Sequence, residues 1–240
     1  MNPKRFLLAT LFILSVVLAA GQAVAAPSSG ETSKQAVFLS PLERWMPTWN
    51  LDSYVSLLER AGYHVDVLLD EKVSISFLRV GLAKYDLIIL RTDSFNQESM
   101  NYYCSGEQIT PQTSTNFANE ISSKELQVGV CVGFSLVFLE NSYPQNSLRH
   151  GLVYVLAGGA AELSSAFLDA GASVFISYNE FFTLRFGRMD AFSQAFFKYL
   201  SRGNTVKDAW QELNIYLKIG HGNTASWPQL HWSGDGNYKI

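Results

Sequence analysis

Histidine and cysteine are scarce in this chain, and their spacing excludes the common metal sites. The 240 residues include two cysteines and four histidines. Neither Cys-x-x-Cys nor His-x-x-x-His spacing occurs, and these spacings are typical of zinc sites. The glycine-rich motifs that bind nucleotide phosphates, Gly-x-Gly-x-x-Gly and the P-loop, do not occur either. We therefore expect no metal site and no other cofactor.

The chain also lacks an apolar run of the length that a typical membrane span requires. It begins instead with Lys4 and Arg5, an apolar segment and a small-residue pattern at residues 23–25, which together are typical of a cleaved secretory signal peptide. We expect residues 1–25 to be removed and the mature chain to be exported without a membrane span, to the periplasm, the cell surface or the extracellular space. An uncleaved anchor is the alternative. Residues 26–240 are expected to form a single domain.

The chain also lacks an excess of positive charge. The full sequence has 18 Lys and Arg against 21 Asp and Glu, and loss of Lys4 and Arg5 leaves 16 against 21, a formal net charge of −5. Because nucleic-acid binding requires a strongly basic surface, we expect no nucleic-acid partner.

The two cysteines, Cys104 and Cys131, have three possible states in an exported protein. An oxidising compartment favours a disulfide that closes the segment between them. Two buried apolar thiols and one reactive thiol are the alternatives. The residue types alone do not decide among the three.

The sequence does contain a regular alternation of strand-like and helix-like periods. Aliphatic and β-branched runs predict strands at residues 35–40, 64–69, 85–90, 151–159 and 172–178. Apolar stripes at helical spacing predict helices between them, and two final helices, of which the second begins at a Thr205 cap. Residues 93–148 are predicted to be a polar, turn-rich excursion, with Cys131 inside a strand-like run.

Continuous apolar strands that alternate with helices predict an α/β fold, with an open, mainly parallel sheet and helices on both faces. Ligands of such sheets bind beyond the carboxyl ends of the strands. We therefore expect a cleft lined by Arg91 at one strand end and by Tyr178, Asn179 and Glu180 at another. Asp93 and Glu180 would make this cleft acidic and favour a partner with basic side chains.

The order of these elements, and four segments of the chain, resemble the caspase-like cysteine peptidase fold of clan CD, in particular its gingipain-like and CHAT-type relatives. The segments are residues 36–95, 151–182, 192–214 and 232–240. The resemblance implies a three-layer sandwich. It also implies a catalytic His-Gly pair after the strand at 85–90 and a catalytic cysteine after the strand at 151–159. In the family, this cysteine attacks the scissile carbonyl, and the histidine activates the thiol or protonates the leaving amine.

The chain departs from that family at both catalytic positions. Asp93 and Ser94 stand where the resemblance places the His-Gly pair, and Gly158 and Gly159 stand where it places the cysteine. A buried aspartate can act as a base. Glycine offers no nucleophile for covalent acyl transfer. We interpret the four positions as vestiges of a catalytic site.

The histidines are not expected to restore this site. His64 and His150 directly precede strands, so parallel pairing places them at the opposite edge of the sheet from Asp93. His221 and His231 lie in the C-terminal tail, where solvated loop positions are expected. Cys104 is the thiol with a plausible path to the cleft.

The residues leave three functions open. The first is an exported, caspase-like domain that has lost its catalytic pair and binds a peptide or protein. The second is an active cysteine peptidase or other hydrolase that uses Cys104 or a hydroxyl with Asp93. The third is a structural accessory domain of an envelope assembly. We favour the first, which is not an enzyme. Four aromatic residues are candidates either for its binding surface or for core packing: Trp45, Trp49, Tyr102 and Tyr103.

Overall fold

The computed structural model of the protein describes residues 33–178, 186–221 and 230–240. The predicted signal peptide at residues 1–25 lies outside these ranges. None of the helices in the described ranges combines the length and the apolar character that crossing a membrane requires.

Two sheets make up the β-structure of the described ranges. In chain order the strands are β1 (Lys34–Ser40), β2 (Tyr63–Leu69), β3 (Leu87–Arg91), β4 (Ser94–Gln97), β5 (Met100–Cys104), β6 (Leu126–Val128), β7 (Val132–Phe134), β8 (Leu152–Leu156), β9 (Val174–Tyr178) and β10 (Leu230–Gly234). The main sheet has the order β10-β9-β8-β3-β1-β2 and is parallel except for β10. The predicted mainly parallel sheet is therefore confirmed.

Helices cover both faces of the main sheet. They are α1 (Leu51–Arg60), α2 (Ile75–Val80), α3 (Thr113–Asn116), α4 (Ala118–Ser122), α5 (Leu136–Ser142), α6 (Ser164–Asp169), α7 (Phe186–Leu200) and α8 (Val206–His221). Side-chain caps fix several helix starts, because the hydroxyls of Ser74, Ser135 and Thr205 accept hydrogen bonds from backbone N–H groups of the first turn.

Alternating strand residues form two separate cores. In β1, Val37 and Leu39 face a core that also contains side chains of α2, α5 and α6. Ala36 and Phe38 face the opposite core, which contains side chains of α1, α7 and α8. Both cores exclude water from the central strands β1, β3, β8 and β9, which explains why these strands read as largely apolar runs. The result is a three-layer arrangement of helices, sheet and helices.

The prediction for residues 93–148 was wrong, because this segment forms a second, antiparallel sheet with the order β4-β5-β7-β6. Glu98 and Ser99 form the turn between β4 and β5 with φ angles of 51° and 65°, positions that glycine or asparagine usually occupies. The strand-like run around Cys131 divides into β7 and, after the Ser135 cap, α5. A turn without its usual residues gave no sequence signal for the hairpin.

Candidate functional site

The carboxyl ends of β3 and β8 meet at one edge of the main sheet. The Thr92 N–H donates a hydrogen bond to the Leu156 carbonyl over 3.1 Å, which extends the strand pairing by one residue. The Ser94 hydroxyl donates to the carbonyl of Gly158 over 2.8 Å. This contact, which we call the β3–β8 junction, brings the Asp93–Ser94 segment next to the Gly158–Gly159 segment.

The polar groups of Asp93 and Ser94 are not arranged as a nucleophile and its base. Asp93 is exposed, and its Oδ1 accepts the backbone N–H of Ser94 over 2.9 Å. The Ser94 hydroxyl donates its proton to the Gly158 carbonyl, which is not basic enough to remove it. A serine nucleophile instead requires its hydroxyl to donate to a base such as a histidine or carboxylate.

A carboxylate follows the glycine pair on the β8 side of the junction. Glu162 accepts a hydrogen bond from the Asn101 amide over 2.9 Å, and its Oε1 lies 3.0 Å from the Tyr103 hydroxyl. That hydroxyl is also 3.0 Å from the Gly159 carbonyl oxygen. Burial, and then the negative charge of Glu162, raise the pKa of Tyr103, so the phenol keeps its proton. A phosphate at the glycine pair would meet this carboxylate, which disfavours an anion site there.

Cys104 and Cys131 form a disulfide with a Cα–Cα distance of 5.6 Å. This confirms the bridged state over the two thiol alternatives. The bridge is adjacent to the junction, because the Cys104 N–H donates to the Asp93 carbonyl over 2.9 Å and the Thr92 hydroxyl donates to the Cys104 carbonyl over 2.7 Å. In this state neither sulfur is a thiolate, and only a thiolate could act as the nucleophile.

Arg91 does not line an open cleft as predicted, because its side chain is 1% exposed and lies inside the protein. Its Nε and Nη2 donate to the two carboxylate oxygens of Asp190 in α7 over 2.8 and 3.2 Å. Its Nη1 donates to the Met46 carbonyl over 2.6 Å. Burial raises the pKa of Asp190, and the Arg91 guanidinium opposes that shift. Arg91 therefore joins β3, the loop after β1 and α7.

Tyr178 is also buried instead of lining a cleft. Its hydroxyl lies 3.2 Å from that of Tyr154 and 3.3 Å from that of Ser193 in α7. Burial is the main cause that raises the pKa of Tyr178 to about 12. The other predicted cleft residues, Asn179 and Glu180, lie outside the described residues.

Two of the four histidines lie at the amino ends of main-sheet strands, at the opposite edge from the junction. His64 lies at the amino end of β2, paired with Gln35, and His150 lies two residues before the first residue of β8, as expected for the opposite edge. The tail prediction was wrong for His231, which lies in β10 opposite Ser177 of β9, and His221 ends α8. Within the described part of the chain, no cluster of three or more His, Cys, Asp or Glu residues could hold a metal ion.

The four aromatic candidates divide into two pairs. Tyr102 and Tyr103 are buried in the second sheet, whereas Trp45 and Trp49 are 79% and 57% exposed. Both tryptophans belong to the loop after β1. Arg91 donates a hydrogen bond to the backbone of this loop at Met46. Two large apolar side chains on a held loop are the strongest interaction signal near the site.

The chain is similar to a number of solved structures, among them two caspases. No protein-family model matches the chain, and no curated protein matches it. The crystal structure of the Drosophila initiator caspase Dronc is 9% identical, with a TM-score of 0.40, and the match covers 85% of this chain and 80% of that one. Caspase-1 from Spodoptera frugiperda is 10% identical, with a TM-score of 0.45, over 84% of this chain and 85% of that one. At these identities and TM-scores, catalytic residues do not transfer from either caspase to this chain.

Proposed function

We propose that this protein is an exported domain of caspase-like architecture that binds a peptide or protein segment and does not hydrolyse it. The observation that carries the proposal is the chemistry of the β3–β8 junction. Gly158 occupies the β8 side, Ser94 and Asp93 occupy the β3 side, and both cysteines of the sequence are joined in a disulfide.

Covalent peptide hydrolysis needs a nucleophile and a base within hydrogen-bond reach of each other. The Ser94 hydroxyl donates to a backbone carbonyl, and Asp93 accepts from a backbone N–H. An active hydrolase that uses Cys104 would first have to reduce the bridge to Cys131. These contacts support an inactive junction over the two catalytic alternatives.

Binding is favoured over a purely structural role by the exposed tryptophans. Trp45 and Trp49 expose large apolar surfaces, and tryptophan is the residue type most enriched among the energetic centres of protein interfaces. The mature chain has a formal charge of −5. A partner segment with basic side chains complements that charge.

A retention assay tests this function. Mature protein on a solid support is exposed to synthetic peptides of equal length that carry basic, acidic or apolar side chains, and mass spectrometry identifies what remains bound. We expect basic peptides to be retained with unchanged mass, and more strongly at low ionic strength because salt screens exposed charges.

The matched acidic peptides are the control for charge. Recovery of peptide fragments would support the hydrolase alternative. Retention of no peptide by a folded preparation would favour the structural accessory role.

A further inference from the structure

A surface groove of about 420 Å³ lies beyond the carboxyl ends of β1 and β2. Pro41 and Leu42, which follow β1, line one wall together with Asp70 and Glu71, which follow β2. The segment after β5 lines the facing wall. This is the edge at which open α/β sheets bind ligands. The groove is separate from the β3–β8 junction, because neither Ser94 nor Gly158 lines it.

Most of the large exposed apolar side chains in the described part of the chain line the groove. Of five such residues, three are lining residues: Trp45, at 79% exposed, Ile109, at 50%, and Val130, at 85%. These residues come from three separate loops. Exposed apolar side chains that gather around one groove are typical of an interaction site.

The same groove is acidic. Asp70, Glu71 and Glu107 line it together with Arg44, the one cation among its described lining residues. Arg44 forms an ion pair with Glu71 over 2.8 Å, which leaves the net charge of the groove at −2. A partner with positive charge next to apolar side chains therefore complements both features of the surface.

The walls are held in place before any partner arrives. The disulfide joins the wall that follows Cys104 to the loop that contains Val130, and Ser105 donates to the Val132 carbonyl through both its N–H and its hydroxyl. A Cβ atom at Gly106 would overlap the Asp70 carbonyl oxygen, so glycine permits the close approach of the two walls. A rigid groove reduces the entropic cost of binding.

The groove continues into a second hollow of about 380 Å³. The two share the lining residues Glu71, Gly106, Glu107 and Gln108, and the second hollow extends to Phe117. An elongated depression of this kind matches an extended chain, whose side chains alternate in direction, better than a compact small molecule.

We propose that this groove binds an extended segment of a partner protein in which Lys or Arg alternates with aliphatic residues. The aliphatic side chains contact Trp45, Ile109 and Val130, and the cationic ones lie near Asp70 and Glu107. This inference rests on the binding half of the proposed function and names its site and its ligand chemistry. A second copy of the chain fits less well, because the formal charge of −5 on each mature chain opposes self-association.

Fluorescence anisotropy with a labelled peptide of alternating Lys and Leu tests the apolar contact. Trp45→Ala is expected to weaken binding by about 10-fold or more, because truncation of a central interface tryptophan typically has an effect of that size. Val80→Ala is the control, since it truncates an apolar side chain that is 72% exposed and lines neither the groove nor the second hollow. We expect it to change the dissociation constant by less than about 2-fold.

A charge-neutralising variant tests the electrostatic contact. In the wild-type protein, the Asp70 carboxylate accepts a hydrogen bond from the backbone N–H of Arg44, and the Glu107 carboxylate accepts one from the backbone N–H of Ile75. The double variant Asp70→Asn with Glu107→Gln removes both charges and keeps an oxygen acceptor for each N–H. We expect binding of the Lys-Leu peptide to weaken about 10-fold at low ionic strength and by less than about 2-fold at high ionic strength. Glu140→Gln with Glu212→Gln, two exposed sites outside the groove, removes the same charge and should have little effect.

Three results would overturn the groove assignment: no binding of the Lys-Leu peptide, equal binding of a Glu-Leu peptide, or binding that Trp45→Ala leaves unchanged. Self-association that Trp45→Ala abolishes would also overturn it, in favour of a second copy. The mass of the peptide after each titration is a separate readout. Cleaved peptide would contradict the proposed lack of hydrolysis while the effect of Trp45→Ala still reports on the groove.

Discussion

Replacement of Asp190 by alanine is expected to lower the free energy of unfolding by about 3–5 kcal/mol, because it leaves the buried Arg91 guanidinium without its carboxylate. The carboxylate is fully buried and accepts two hydrogen bonds from Arg91 and one from the Trp49 N–H over 3.1 Å. The variant therefore also loosens the loop that carries the exposed tryptophans. Chemical denaturation, analysed for both midpoint and slope, measures the change.

Arg149→Ala is the surface control for this prediction. Arg149 is 45% exposed and pairs with Asp86 over 3.2 Å, and an exposed ion pair contributes about 1 kcal/mol or less. In a cycle of Arg91→Ala, Asp190→Ala and the double variant, we expect a coupling energy of about 2–3 kcal/mol. Strictly additive losses of unfolding free energy, or a loss below about 1 kcal/mol for Asp190→Ala, would show that the Arg91–Asp190 ion pair does not stabilise the fold.

Removal of the disulfide by Cys104→Ala with Cys131→Ala is expected to lower the free energy of unfolding by about 3–4 kcal/mol. The bridged residues are 27 apart in sequence, and closing a loop of that length restricts the unfolded chain by about this amount. The same bridge connects the second sheet to the wall of the groove. Denaturation of the oxidised protein and of the double variant under identical conditions measures the difference.

Reductant provides the matched control for the disulfide. It should destabilise the wild-type protein by a similar amount and leave the double variant unchanged, because the variant has no cysteine. Equal stability of the wild-type protein with and without reductant would show that the bridge does not contribute.

The central strands of the main sheet could be predicted from the sequence because they are buried on both faces. Runs such as residues 87–90 are continuously apolar, and helices with clear stripes and caps, such as the one after Thr205, separate them. Parallel pairing then places strand ends on one edge, so the approach of Ser94 to Gly158 follows from the order of elements. These are local patterns with a direct physical cause.

The second sheet and the state of Arg91 could not be predicted in the same way. The turn at Glu98 and Ser99 uses left-handed conformations without the residues that usually signal them. A charged residue at the end of an apolar strand usually indicates the surface, and the buried position of Arg91 depends on Asp190, which lies 99 positions away. The groove beside the disulfide likewise combines loops that are distant in sequence, so no single motif predicts it.

A double variant at the β3–β8 junction provides the positive control for the central claim, which is that this protein does not hydrolyse peptides. Asp93→His with Gly158→Cys restores the residue types that the family resemblance expects at the β3–β8 junction. Gly158 has no positive φ, whereas Gly159 has a φ of 70°, so position 158 accepts a side chain without left-handed strain. We expect slow, thiol-dependent peptide cleavage from this variant.

Hydrolysis of casein, and of peptides with Arg, Lys, Asp or an apolar residue before the scissile bond, tests the central claim most directly. Loss of one member of a nucleophile and base unit removes on the order of a million-fold of catalysis, so we predict no cleavage by the mature wild-type protein, with or without reductant. Wild-type turnover that Asp93→Ala, Ser94→Ala or Cys104→Ser abolishes, in a variant whose fold is intact, would contradict it.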